Sequence, residues 1–159
     1  MRDSITCSHR LVTLGDANHR ETLYAGSLLR IALEAGYASG VQAVGDDANL
    51  VLRRVISLEC RIPVPVGKLI EIQAAPLFAA RAYLAIGLIG TPLRSGQGPW
   101  MDGLMGFAQI DEDGRAAAFP DDISLCSSED PQWQALRKRF ADFQRLRNNH
   151  TRNRAAARS

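Results

Sequence analysis

The chain has 159 residues, 46% of them hydrophobic, which is enough for one domain with a buried core and too few for two comfortable ones. No apolar stretch approaches the roughly 20 residues of a membrane span. The N-terminal MRDSITCSHR has no apolar signal core, and Cys7, Cys60 and Cys126 are odd in number with no CxxC pair, so a soluble cytoplasmic protein with reduced thiols and no zinc knuckle is expected.

Residues 11–14 alternate weakly and are stopped by Gly15-Asp16-Ala17-Asn18, a short strand feeding a loop. Over residues 23–38 the period changes: Leu28, Ile31, Ala32 and Ala35 form one apolar stripe, with Leu29, Leu33 and Tyr37 beside it. Only Arg30 and Glu34 are charged, so an enclosed helix is expected, ending at Ser39-Gly40. Strand-like blocks follow at residues 49–61, 68–75, 77–90 and 101–110, separated by the Pro63-Val-Pro-Val-Gly67 turn, a Gly-rich loop and the Asp111-Glu-Asp-Gly114 turn. The order strand, helix and four strands predicts an α+β antiparallel meander burying one helix, within residues 1–125. From residue 130, Trp133, Leu136, Phe140 and Phe143 step by three or four with bases opposite, predicting a basic amphipathic helix over 130–148. Residues 149–159 lack apolar periodicity and are expected to be disordered. From residue 131 onward eight Lys/Arg face the single acid Asp142, leaving −5 for residues 1–130.

Read in order, Asn18, Ala25-Gly26, Pro63-Val-Pro-Val-Gly67, Gly106-Phe107, the Asp111–Gly114 turn and Pro120 resemble the acyl-CoA hydrolase branch of the hotdog thioesterases, over residues 11–120. The resemblance implies a hotdog fold, a sheet wrapped around a long central helix. It also implies at least a dimer, and an acyl-thioester site between two subunits. Coenzyme A or phosphopantetheine would enter only as part of the substrate, with no separate cofactor. Three positions depart from the family. Leu33 stands where its helix carries a catalytic Asp, Glu21 replaces a loop glycine, and Cys60 replaces an aromatic.

Thioester hydrolysis needs a carboxylate to activate water and donors for the oxyanion. The first N–H groups of a helix have no intrahelical acceptor, so Ala25, Gly26 and Ser27 are candidate substrate-binding donors, or small residues that permit close packing. With Leu33 on the wall of the site, Glu34 and Glu21 are the candidate carboxylates. Glu34 has a competing role as the i, i+4 partner of Arg30. Asn18 would position the thioester or cap the loop, and His19 lies beside it as a further catalytic candidate or an exposed loop residue. Asp16, His19 and Glu21 lack the further ligand pair of a metal site. Cys60 is expected to be a buried structural thiol.

Arg137, Lys138, Arg139, Arg145 and Arg147 could meet the phosphates of coenzyme A, an acidic carrier protein or nucleic acid; a solvated face is the simplest reading, and with no recognised module a nucleic-acid partner is not expected. The leading functional expectation is a thioesterase-like enzyme acting on an acyl-CoA or acyl-carrier-protein thioester. The alternatives are a hotdog that has lost hydrolysis and catalyses dehydration, cyclisation or acyl transfer in a specialised biosynthetic pathway, and a non-catalytic acyl-ligand-binding dimer.

Overall fold

The computed structural model describes residues 4–158. One compact unit ends at Ser127 and a second begins at Ser128. In the first, strand β1 (Thr6–Leu11) is followed by helix α1 (Ala25–Val44) and strands β2 (Leu50–Cys60), β3 (Leu69–Ala80), β4 (Tyr83–Gly90) and β5 (Met101–Gln109). All five strands join one antiparallel sheet in the order β1-β3-β4-β5-β2. Helix α1 touches every one of them.

The connectivity departs from a simple meander. Strand β2 does not pair with β3; it crosses to the far edge and pairs with β5 from Leu50↔Gln109 to Cys60↔Met101. The crossing is made by residues 61–68, where Pro63 and Pro65 cannot donate to a ladder. Gly67 then turns the chain at φ 84°, and its N–H donates to the Val12 carbonyl. Glycine is the residue that reaches this conformation without strain.

The first strand occupies Thr6–Leu11 rather than residues 11–14, which finish the strand and enter a 3-10 turn at Leu14–Asp16. Its alternation is carried by half-buried Thr6, Ser8 and Arg10 rather than by apolar side chains, so hydropathy did not reveal it. Strand β3 runs through Pro76 to Ala80, and the hairpin turns at Arg81. Pro76 is tolerated because β1 reaches only to Ala74, and the Pro76 carbonyl accepts from Cys126 N–H outside the ladder.

Helix α1 buries Leu28, Ile31, Ala32, Ala35, Gly36, Ser39 and Gly40, and it passes through Ser39-Gly40 to end at Gly45, φ 98°. Gly40 is not a stop: it lies against Leu50, Ile86 and Leu84, where the sheet comes too close for a side chain. The expected enclosure is only one-sided. Leu29 and Tyr37 remain 41% and 43% exposed, and Leu33 is half-buried, so the second apolar stripe is uncovered by this chain. Along the β2 edge Leu52 and Val55 are exposed as well.

The second unit is helix α2 (Pro131–Ala156), capped by the Asp130 carboxylate accepting from Gln132 N–H, with Pro131 in its first turn. It is longer than the helix expected over 130–148. Residues 149–156, expected to be disordered, continue the same helix.

Candidate active site at the start of helix α1

The loop before α1 is held on both sides. Ala17 bridges Leu23, Thr22 bridges Pro65, and Leu23 N–H donates to the Val64 carbonyl while Val66 N–H donates to that of Glu21. The proline turn thus fixes the entry to the helix.

Within the loop, Asn18 Oδ1 accepts from the backbone N–H of Arg20 (2.9 Å) and Thr22 (3.3 Å), while Nδ2 lies 3.1 Å from Thr22 Oγ1. Its oxygen is therefore committed to shaping the turn, leaving one amide hydrogen for a ligand. Glu21 has φ 56°, the left-handed region that favours glycine and is uncommon for a side-chain-bearing residue. The Glu21 and His19 side chains are exposed, with no hydrogen-bond or ionic partner seen among the described residues.

Helix α1 begins after Tyr24, whose side chain makes no capping bond. The first intrahelical bond runs from Leu28 N–H to the Tyr24 carbonyl, so the N–H groups of Ala25, Gly26 and Ser27 precede it without an intrahelical acceptor. Ala25 and Gly26 are exposed and Ser27 is half-buried. The Tyr24 ring packs over Gly26 so closely that a Cβ there would sit 2.4 Å from the ring. Leu33 lies two turns further along the helix, roughly 20° from Gly26 at 100° per residue.

Glu34 is directed elsewhere. It is the i, i+4 partner of Arg30 (3.4 Å) and lies 4.0 Å from Arg10 on β1. It also lines a cleft of about 270 Å³ whose floor includes Ile31, Ala35, Ile70 and Ile72. Behind it stands Asp16, buried, accepting from Thr13 N–H (3.0 Å) and Oγ1 (2.8 Å) and from Arg10 (3.4 Å) and Arg30 (3.1 Å). The bonds from Thr13, with the Arg10 guanidinium, hold the Asp16 carboxyl below the usual carboxylate range despite its burial. Arg10 and Arg30 thus tie the 3-10 turn, β1 and α1 together. The sequence reads Asp16 as a turn residue or a weak metal ligand and does not reveal this knot, because Arg10 joins it through strand placement rather than spacing.

Cys60 is exposed at the end of β2, correcting the expectation of burial. The thiol donates to the Ile62 carbonyl (3.4 Å), and desolvation of the sulfur itself pushes its pKa up, so it is a poor nucleophile.

A five-stranded antiparallel sheet in this order around a long helix is the hotdog fold. Solved structures of the same fold cover nearly the whole chain. The Staphylococcus aureus acyl-CoA hydrolase in complex with butyryl coenzyme A, coenzyme A and coenzyme A disulfide shares 17% identity at TM-score 0.73, covering 98% of this chain and 97% of its own. A hexameric acyl-CoA thioesterase shares 16% at TM-score 0.75, covering 93% of each chain. The Bacillus cereus acyl-CoA hydrolase shares 14% at TM-score 0.73, covering 96% of this chain and 93% of its own. Structures of the S. aureus enzyme include variants in which an Asn and, fifteen residues later, an Asp are each replaced by Ala. No family model and no curated protein sequence matches the chain.

Proposed function

We propose that this protein is a thioesterase-like hotdog enzyme that hydrolyses acyl-CoA thioesters at the start of helix α1. The observation that carries the reading is the uncapped row of N–H groups at Ala25, Gly26 and Ser27, opening α1 beside the Asn18 loop in a fold shared with acyl-CoA hydrolases. Such donors, with the positive end of the helix dipole, stabilise the oxyanion formed when water attacks a thioester carbonyl. Collapse of that intermediate expels the coenzyme A thiolate.

The carboxylate is the point of divergence. Fifteen residues beyond Asn18 stands Leu33, an apolar wall that can contact an acyl chain but cannot take a proton. Of the two candidate replacements, Glu34 is held by Arg30 and Arg10, whereas Glu21 is free on the loop that leads into the helix. We assign water activation to Glu21 and a structural ion pair to Glu34; the residual amide hydrogen of Asn18 orients the carbonyl.

The uncovered stripe of Leu29, Leu33 and Tyr37, together with Leu52 and Val55 on the bulged β2 edge, supports assembly into a homo-oligomer, as in the hexameric neighbour.

The test is a panel of acyl-CoA substrates of increasing chain length, with release of free thiol followed by a chromogenic disulfide reagent. At least one chain length is turned over with saturation. Thiol release no faster than buffer across the panel would remove hydrolysis and leave acyl-ligand binding or another acyl reaction as the reading.

A further inference from the structure

The distal half of α2 is unlike any other element of the chain. Every residue from 145 to 158 is exposed, and the segment RLRNNHTRNRAAAR holds five Arg, no Lys and no acid. An isolated helix that is polar on all sides, with like charges one and two turns apart, is disfavoured by its own repulsion and gains nothing from burial. Arg145 is paired with Asp142 and Arg147 lies over the Phe143 ring (5.8 Å). No acidic partner is seen for Arg147, Arg152, Arg154 or Arg158 among the described residues.

Continuation of the helix through Ala156 orders these bases. Lys138, Arg145 and Arg152 recur every seven residues along one side. Arg147 and Arg154 follow i and i+7 along another, roughly 160° away at 100° per residue, and Arg158 lies just beyond the helix end. Gln144 and Asn148, at i and i+4, occupy the surface between the two rows.

We propose that the C-terminal half of α2 binds duplex DNA, lying in the major groove with its two basic rows on the phosphates of the two walls. A protein partner would want an apolar centre to its interface, and a membrane surface an apolar helix face; beyond Leu146 this segment offers neither. A phosphate backbone needs only charge and donors, and Arg rather than Lys is the residue suited to it. The B-form major groove, about 12 Å wide, admits a helix, while the A-form major groove is too narrow. Gln144 and Asn148 carry the amide groups that pair with base edges.

The experiment uses the full chain and a fluorescently labelled 20-base-pair DNA duplex, with anisotropy measured from 25 to 200 mM NaCl. Binding is expected at low salt, with affinity falling in log-log proportion to salt at a slope of about −3 to −5 for four to five phosphate contacts. The triple variant Arg147→Gln, Arg152→Gln, Arg154→Gln, checked for unchanged helicity by circular dichroism, should bind at least tenfold more weakly with a shallower slope. The corresponding triple Lys variant should keep most of the slope. No binding at 25 mM NaCl, equal binding by the Gln variant, or stronger binding to duplex RNA, anionic vesicles or an acidic carrier protein would overturn the proposal.

Discussion

Two carboxylates that look alike in the sequence are distinguished by their surroundings. Glu34 answers two guanidinium groups and Glu21 answers none among the described residues. Glu21→Gln is therefore expected to lower kcat for thiol release at least a hundredfold, and Glu34→Gln to leave it within about threefold. Steady-state kinetics on the best acyl-CoA substrate reads the difference, and the opposite ranking would return the base to the helix. Asp16 has a different kind of role. Its folded pKa is lowered, so its contribution to stability is complete above the unfolded value of about 3.9 and is lost as pH falls through the lower folded value. Urea midpoints of the wild type should fall steeply below about pH 4. Asp16→Ala, which removes the buried acceptor shared by Thr13, Arg10 and Arg30, should cost about 1–3 kcal/mol at pH 7 and flatten that acid dependence.

At the scale of elements, α1 was legible from its apolar 3.6-residue stripe and the start of β3 from its alternation, whereas β4 and β5, buried along their length, gave apolar runs without a period, and the 77–90 run concealed the hairpin at Arg81. What was not legible arose from long-range placement. Strand β1 presents Thr6, Ser8 and Arg10 inward, with Arg10 reaching Asp16 and Glu34, so its alternation carries no hydropathy signal. The crossing of β2 to the far edge depends on which strand can pair with β5, and Pro63 and Pro65 in the connection signal only an interruption. The candidate site divided in the same way. Asn18, the helix-start residues and the Arg30–Glu34 pair were visible by order and spacing, while the second guanidinium near Glu34, Arg10, comes from strand β1. The two glycines within α1 make the dependence on packing measurable. A Cβ at Gly36 would meet Phe107 at 3.4 Å, an ordinary contact, whereas one at Gly40 would meet Leu50 at 2.6 Å and Ile86 at 3.3 Å. Gly36→Ala should be neutral or stabilise by up to about 1 kcal/mol through helix propensity. Gly40→Ala should instead destabilise by about 1–2 kcal/mol, as overpacking outweighs the same gain. Thermal or urea unfolding of the two variants separates them by sign.

For the whole molecule, the uncovered stripe on α1 and the open β2 edge are the features that a single chain leaves unfinished. Light scattering coupled to size exclusion should give at least a dimer, and Leu52→Lys with Val55→Lys should shift it towards monomer. The central claim is that an acyl thioester is held where α1 begins. Hydrogen–deuterium exchange with and without a non-hydrolysable thioether analogue of an acyl-CoA examines that position directly, because the N–H groups of Ala25, Gly26 and Ser27 have no intrahelical acceptor and should exchange quickly in the free protein. Saturating analogue is expected to slow exchange in peptides covering residues 18–28. Unchanged exchange there, with protection confined to the Arg10–Glu34 cleft or to α2, would contradict it.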